Sequence, residues 1–415
     1  MNRQNILVNI DNPRELEKMY QENKAAFKKE FDLLYSELTG NKLAEFWNER
    51  LNYESGEISW GSKKDFTLVI VASLAAAFIA KLPVLLNIKP EFFYPRNLGF
   101  IVLPLLTAYF TWKNNLKPCR MIFTAIATLL ALTFINILPV NEKSDTLILS
   151  CVHLPLFLWA IMGASFVGDN LKDHRSRLDF LRYNGDLVVL SALFAIAGGI
   201  LTGISIGLFS MIGFKIETFY FEYIVVCGAA ALPIILTYIT RTNPQMVNKV
   251  SPVIAKIFSP VVLVTLVVYL TAILYSGKDP YNDRNFLMTF NFLLIGVMAI
   301  ILFSIAGTFK NKENPWGSSI LLALSVVTVI VNGIALSAIL FRISEWGMTP
   351  NRLAILGANI LMLTNLLMVT FRLFNNVRNK SGISEVENSI SLFLPVYSLW
   401  TIIVTFIFPL IFDFK

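Results

Sequence analysis

Apolar residues are arranged in two ways along this chain. Residues 1–62 are polar and carry a sparse apolar stripe, whereas from residue 66 long apolar runs alternate with short polar links. In the opening segment, Asn12-Pro13-Arg14-Glu15 has the form of a helix start, with a capping side chain, proline in the first turn and an acid three residues after the cap. Leu16, Tyr20, Phe27, Phe31, Leu34 and Leu38 then recur at spacings of three, four and seven. That spacing predicts one apolar stripe on a helix of about 25 residues, ended by Gly40. A second short helix is predicted over 42–51, with Leu43, Phe46, Trp47 and Leu51 on one side. Such helices either pack on each other or on the membrane face, or they form a docking platform for a cytoplasmic protein partner.

After Lys63-Lys64 the apolar runs predict eleven membrane spans, at 66–87, 98–112, 119–139, 146–168, 187–213, 220–239, 259–276, 286–307, 318–341, 353–374 and 389–411. Most reach the roughly 20 apolar residues needed to cross a hydrocarbon core of about 30 Å. The run 98–112 has only 15 residues and contains Pro104, which suits a partial or re-entrant helix. The expected fold class is therefore all-α: a polytopic membrane helix bundle of about eleven transmembrane helices at 63–415, preceded by a cytoplasmic amphipathic helical segment at 1–62.

Composition agrees with this. Of 415 residues 55% are hydrophobic and 15% charged, more apolar surface than a soluble chain of this size could cover. The lipid bilayer is thus the first partner. The net charge of +7 reads as a topological signal and not as a nucleic-acid footprint. With the N-terminus inside, the inner links 113–120, 169–186, 240–258, 308–317 and 372–388 hold fifteen Lys and Arg, against nine in the outer links and tail. This bias predicts a cytoplasmic N-terminus and a C-terminus outside. The polar opening makes the first spanning helix an uncleaved insertion signal.

Signatures of enzymes are missing from the pattern. There is no H-E-x-x-H, G-x-S-x-G or P-loop, the two histidines are isolated, and the three cysteines form no ligand spacing. No catalytic residue, cofactor or metal is predicted, and a lipid-modifying enzyme is only a third alternative. Polar groups inside the spans are Lys81, Asn136, His153, Asn332, Asn359 and Asn365, which serve either as interhelical glue or as pathway markers. Lys81 lies near a span end, where it can snorkel. The fifth span carries Ser191, Ala195, Gly199, Gly203 and Gly207, each four apart, a small-residue face that predicts a tightly packed central helix. Just before it, L-R-Y-N-G-D at 181–186 places Arg182 and Asp186 four apart, with Tyr183 between them. This inner-face motif is either an ordinary i,i+4 pair or an inner gate.

The densest polar link is F-R-I-S-E-W-G-M-T-P-N-R at 341–352. Arg342 and Glu345 are three apart and can pair at the end of a helix. Trp346 suits the headgroup level, and Gly347 allows a turn. Thr349 can cap a helix that opens with Pro350, Asn351 and Arg352. One reading is a stapled hairpin. The other is a ligand site in which Arg342, Arg352 and free N–H groups hold an anionic lipid or small anion. A cation at a helix start is unfavourable for the dipole, so Arg352 requires an anion or Glu345 to offset it.

These two elements, R-x-x-E-W-G-M-T-P-N-R and L-R-Y-N-G-D, with many spans, resemble a bacterial family of polytopic membrane proteins of unknown function whose members show R-x-x-E-Y-G-L-T-P-N-R between two late spans. Here Trp346 stands for Tyr and Met348 for Leu. The resemblance implies the fold over roughly 65–411 and a bacterial inner membrane location, and it implies no activity. Two functional expectations follow. The first is transport or handling of a small anionic solute or lipid through the outer-face link. The second is a non-transporting scaffold, sensor or effector that acts through the N-terminal helices.

Overall fold

The structure is a computed structural model. It describes residues 3–22, isolated positions across 27–41, 42–53, 63–139, 141, 144–169, 171–211, 215–242, isolated positions across 259–305, 315–379 and 384–414. The described residues are mostly helical, joined by short turns and links, and contain no strand. Contacts divide the chain into two compact units, Met1–Trp60 and Gly61–Lys415.

The first unit contains α1 (Arg3–Val8), α2 (Pro13–Glu22) and α3 (Lys42–Tyr53). Asn12 caps α2, its Oδ1 accepting from the Glu15 backbone N–H at 3.4 Å. The predicted stripe is buried within the unit itself: Leu16, Tyr20, Phe27, Phe31 and Leu34 pack with Ile6, Ala44, Trp47 and Leu51. On α3 the inward positions are 44, 47 and 51, and Phe46 points out at 60% exposure. Arg50 ties the two helices together. It pairs with Glu17 at 2.7 Å and lies 4.7 Å above the Trp47 ring.

The second unit holds α4 (Lys63–Leu85), α5 (Pro90–Lys113), α6 (Pro118–Ile137), α7 (Asp145–Val167) and α8 (His174–Met211). Helix α9 (Glu217–Thr242) contains a π-helical stretch at Tyr220–Val225. The rest are α10 (Pro315–Trp346), α11 (Pro350–Asn379) and α12, which runs from Ser384–Ile402 through a π turn at Ile403–Ile407 into Phe408–Ile411. Among the described residues eight helices are long and apolar enough to cross a membrane. The expected spans at 259–276 and 286–307 fall largely outside the described residues.

The short run at 98–112 belongs to a longer helix than its apolar residues suggested. Helix α5 has 24 residues, about 36 Å at 1.5 Å per residue. The apolar run stops at Arg96 because a lone guanidinium in lipid is costly. Here Arg96 is only 4% exposed, and it donates to the carbonyls of Ile135 at 2.7 Å, Leu138 at 3.0 Å and Pro139 at 3.3 Å. These carbonyls end α6, so the cation caps a neighbouring helix. Asn97 and Asn136 exchange two amide hydrogen bonds beside it, at 3.0 and 2.9 Å.

The small-residue face of α8 is not a packing face among the described residues. A Cβ added at Gly199 or Gly203 would meet nothing within 4 Å, and positions 192–201 are exposed. Gly207 continues the helix, with surroundings outside the described residues. Four-residue spacing makes one side of a helix smooth, but it does not supply a partner. Close approach occurs instead at isolated glycines. A Cβ on Gly99 would lie 3.2 Å from the Pro155 backbone, one on Gly163 would press on the Phe180 ring, and one on Gly357 would overlap the Trp400 indole.

These contacts give a direct stability test. Gly357→Ala is expected to destabilise the protein by about 1–3 kcal/mol through overpacking. Gly203→Leu is expected to change stability by less than about 0.5 kcal/mol. Thermal unfolding of both variants in one detergent checks this, and an equal loss for the two would refute the assignment of packing faces.

Candidate functional site

The 341–352 link is built as a helix–helix hairpin. Gly347 follows α10 with φ +77°, and its N–H donates to Ile343 O at 2.9 Å, the left-handed ending that glycine favours. Thr349 caps α11, its hydroxyl accepting from the Arg352 N–H at 3.4 Å and its carbonyl from the Leu353 N–H at 2.9 Å. Asn351 lies half-buried in the first turn of α11. Below the turn, Ala338 and Ile339 pack against Ile355 and Leu356.

Two expected pairings at this link take different forms. Arg342 lies over the Trp346 ring, 5.3 Å from its centroid. Glu345 is exposed and forms no ion pair among the described residues. On a helix, position 346 lies one turn beyond 342, so the indole presents the arginine with a large flat face at i+4. Arg352 reaches back and donates through Nη1 to Trp346 O at 2.8 Å and Gly347 O at 2.6 Å. The unfavourable cation at the start of α11 is therefore offset by the carbonyl end of α10, without an anion. The Trp346 ring thus has two guanidiniums within 6 Å of its centroid, Arg342 at 5.3 Å and Arg352 at 5.8 Å.

The motif at 181–186 joins three helices. Arg182 pairs with Asp179 at 2.8 Å and with Glu387 of α12 at 2.7 Å. Tyr183 is buried, and its hydroxyl lies 2.7 Å from the Thr237 hydroxyl of α9. Asn184 accepts from the Trp159 indole N–H at 2.8 Å. Asp186 is half-buried and engaged by neighbours. Each polar side chain with a described contact thus holds a different helix, and the motif works as a junction.

Other intramembrane polar groups divide into paired and unpaired ones. Lys81 sits 4.3 Å above the Tyr223 ring, and His153 Nδ1 lies 2.9 Å from Leu149 O of its own helix. Asn365 donates to the Tyr397 hydroxyl at 3.0 Å. Asn332 and Asn359 are fully buried, and their amide groups find no partner among the described residues. No cluster of three His, Cys, Asp or Glu side chains forms among the described residues.

What the sequence pattern did not single out is a groove of about 610 Å³ between α6, α7, α8 and α12. Its walls include Phe123, Ala127, Phe157, Trp159, Leu394 and Ile402, and its area is overwhelmingly apolar. It follows α7 from Phe157 to Val167, about 15 Å of helix. That is half of a roughly 30 Å hydrocarbon core, the depth of one leaflet. Arg120 and Arg177 close the end nearest the interhelical link 168–173. Arg120 Nη1 and Nη2 donate to the carbonyls of Gly168 and Asp169, and its Nε lies 3.4 Å from the Asp169 carboxylate. Arg177 donates through Nε and Nη2 to Leu171 O, and through Nη1 to Ser391 O at 3.2 Å. In the same link Asp173 caps α8, and the Ser176 hydroxyl holds its carboxyl below the usual carboxylate range. The sequence signal was the pair of arginines in adjacent basic links, which a charge count absorbs as topology.

A second groove of about 720 Å³ lies on the other side of α6, against α5, and shares Leu116 and Thr124 with the first. Thr107, Thr111, Trp112 and Asn115 line it, with no charged side chain.

No protein-family profile matches the chain, and no curated protein or solved structure matches it either.

The hairpin geometry predicts a contrast within the 341–352 link. Arg352→Gln removes the bridge to two carbonyls and is expected to lower stability by about 1–2 kcal/mol. Glu345→Gln is expected to leave stability unchanged. Thermal melts with and without added anionic lipid check both, and an Arg352→Gln variant that melts like the parent yet loses stabilisation by lipid would restore the link as a ligand site.

Proposed function

We propose that this chain is a polytopic membrane protein that takes a lipid-like amphiphile into the groove between α6, α7, α8 and α12. The observation that carries this reading is the groove's form: apolar walls one leaflet deep, with arginines only at the end facing the link. Ligand sites of 300–1,000 Å³ with apolar walls and a few placed polar groups are the usual form of a small-molecule pocket. An acyl chain suits the walls, and a polar headgroup suits the mouth. Handling of a lipid, one part of the first functional expectation, is in this reading moved from the 341–352 link to the opposite end of the bundle. The scaffold reading acts through the N-terminal helices, whose apolar stripe from Leu16 to Leu34 is buried in its own unit.

Around the groove we place eleven spans in a bacterial inner membrane, with residues 1–62 cytoplasmic and the C-terminus outside. This arrangement rests on the excess of Lys and Arg in alternate links. It makes the groove open toward the inner leaflet. Single cysteines placed at positions 10 and 347 of a cysteine-free chain test the orientation. An impermeant thiol reagent applied to intact cells is expected to label 347 and spare 10, and the reverse would overturn it.

Occupancy of the groove has its own test. Trp159 lines it, so lipids with brominated acyl chains should quench the part of the fluorescence that Trp159→Phe removes. Ala164→Phe, which fills the groove at a half-buried position, is expected to abolish at least half of that quenching. Quenching that is the same in the parent and in Ala164→Phe would mean that the indole senses bulk lipid and that the groove holds none.

A further inference from the structure

We infer that the occupant is an anionic glycerophospholipid, with its phosphate held by Arg120 and Arg177; this rests on the reading of the groove as a lipid site and adds the headgroup class. Both arginines line the cavity. They grip one link from two directions, Arg120 at Gly168 and Asp169, Arg177 at Leu171 and across to Ser391. Their carbonyl partners on that link lie within four consecutive positions of the chain, so two cations are gathered at one mouth.

The donors left over decide what the mouth can bind. A guanidinium has five N–H groups in a fixed fork and no acceptor. In each arginine these contacts engage Nε and one hydrogen on each terminal nitrogen. Counting contacts among the described residues, one N–H on each Nη remains, which makes two per arginine and four at the mouth. The Asp169 carboxylate at 3.4 Å from Arg120 Nε offsets part of one charge, while among the described residues no acid pairs with Arg177. A phosphodiester supplies acceptor oxygens and one negative charge, and planar guanidiniums bind such oxygens better than point cations do. A zwitterionic headgroup brings the same phosphate together with an ammonium, which two arginines repel. A carboxylate amphiphile would satisfy fewer donors.

The wall geometry favours a membrane lipid over a free anion. The walls run about 15 Å from Val167 to Phe157 with almost no polar area, so a free phosphate would fill the mouth and leave the apolar length empty. The second groove, beside α5, shares part of the wall and has no charged side chain, so it offers an acyl path without headgroup selection.

The full chain is reconstituted in phosphatidylcholine vesicles in which the minor brominated component is either phosphatidylglycerol or phosphatidylcholine. The readout is the Trp159-dependent fluorescence, taken as the difference from Trp159→Phe. Brominated phosphatidylglycerol is expected to quench at a mole fraction lower by about fivefold for each effective arginine, and Arg177→Gln is expected to remove about one such factor. Equal quenching by the two lipids would overturn the anionic assignment and leave the lipid groove standing. No Trp159-dependent quenching by either would overturn both. Because Arg177→Gln also loses the contact to Ser391, lipid retention by the unmutated chain is measured separately by mass spectrometry after purification in neutral detergent. Co-purified phosphatidylglycerol in excess of its share of the vesicles supports the inference, and retention in proportion to that share counts against it.

Discussion

Exposed carbonyls at helix ends are the constraint that shapes this bundle. In lipid each unsatisfied backbone group costs several kcal/mol, and the last turn of every helix leaves carbonyls without donors. Here arginines and one asparagine provide those donors from neighbouring helices. Arg96 serves the end of α6, and Arg352 serves the end of α10. Asn114 Nδ2 donates to Ser165 O at 2.9 Å and Phe166 O at 2.8 Å, while Arg120 takes the next carbonyls, at Gly168 and Asp169. The end of α7 is thus closed by two residues from the α5–α6 region. Each such cap fixes a helix end relative to a second helix, so the same bonds that satisfy the backbone also set the packing.

The sequence carried the local part of this and not the tertiary part. The Asn12 cap, the Thr349 cap, the Gly347 turn and the apolar stripe from Leu16 to Leu34 all depend on neighbours a few residues away, and all appear as the spacing predicts. The predicted span began at 98 and so left Arg96 outside it, because the three acceptors of Arg96 lie about forty positions further on. Glycine shows the same limit from the other side. The five small residues of α8 make a conspicuous series yet meet no described neighbour at Gly199 and Gly203, while Gly99, Gly163 and Gly357 stand alone in the sequence and carry the close contacts. Periodicity records the symmetry of one helix, whereas a contact needs the surface of two.

The candidate site was hidden for a related reason. The 341–352 link drew attention because its polar residues are contiguous, and contiguity is what a self-contained hairpin needs. The groove draws its residues from four helices, and its apolar wall is indistinguishable in sequence from any lipid-facing surface. Only the arginines were visible, and a topological rule had already explained them. Charge counts and site residues overlap in membrane proteins because both functions call for cations at the same depth.

That overlap bears on how the groove would bind. A free arginine side chain loses roughly 0.5–1.5 kcal/mol of conformational freedom when a ligand immobilises it. Arg120 and Arg177 are already held, each by carbonyl contacts that exist for the sake of the backbone. The ordering cost is therefore met in the folded protein, and the remaining N–H groups are presented in a fixed direction. Gly163 contributes from behind. Without a Cβ it lets the Phe180 ring close against α7, which seals the inner wall of the groove beside Trp159. Preorganised donors at the mouth and a dry, closed wall behind are two consequences of the same caps and close contacts, so a change that loosens the end of α7 is expected to weaken the groove and the fold together.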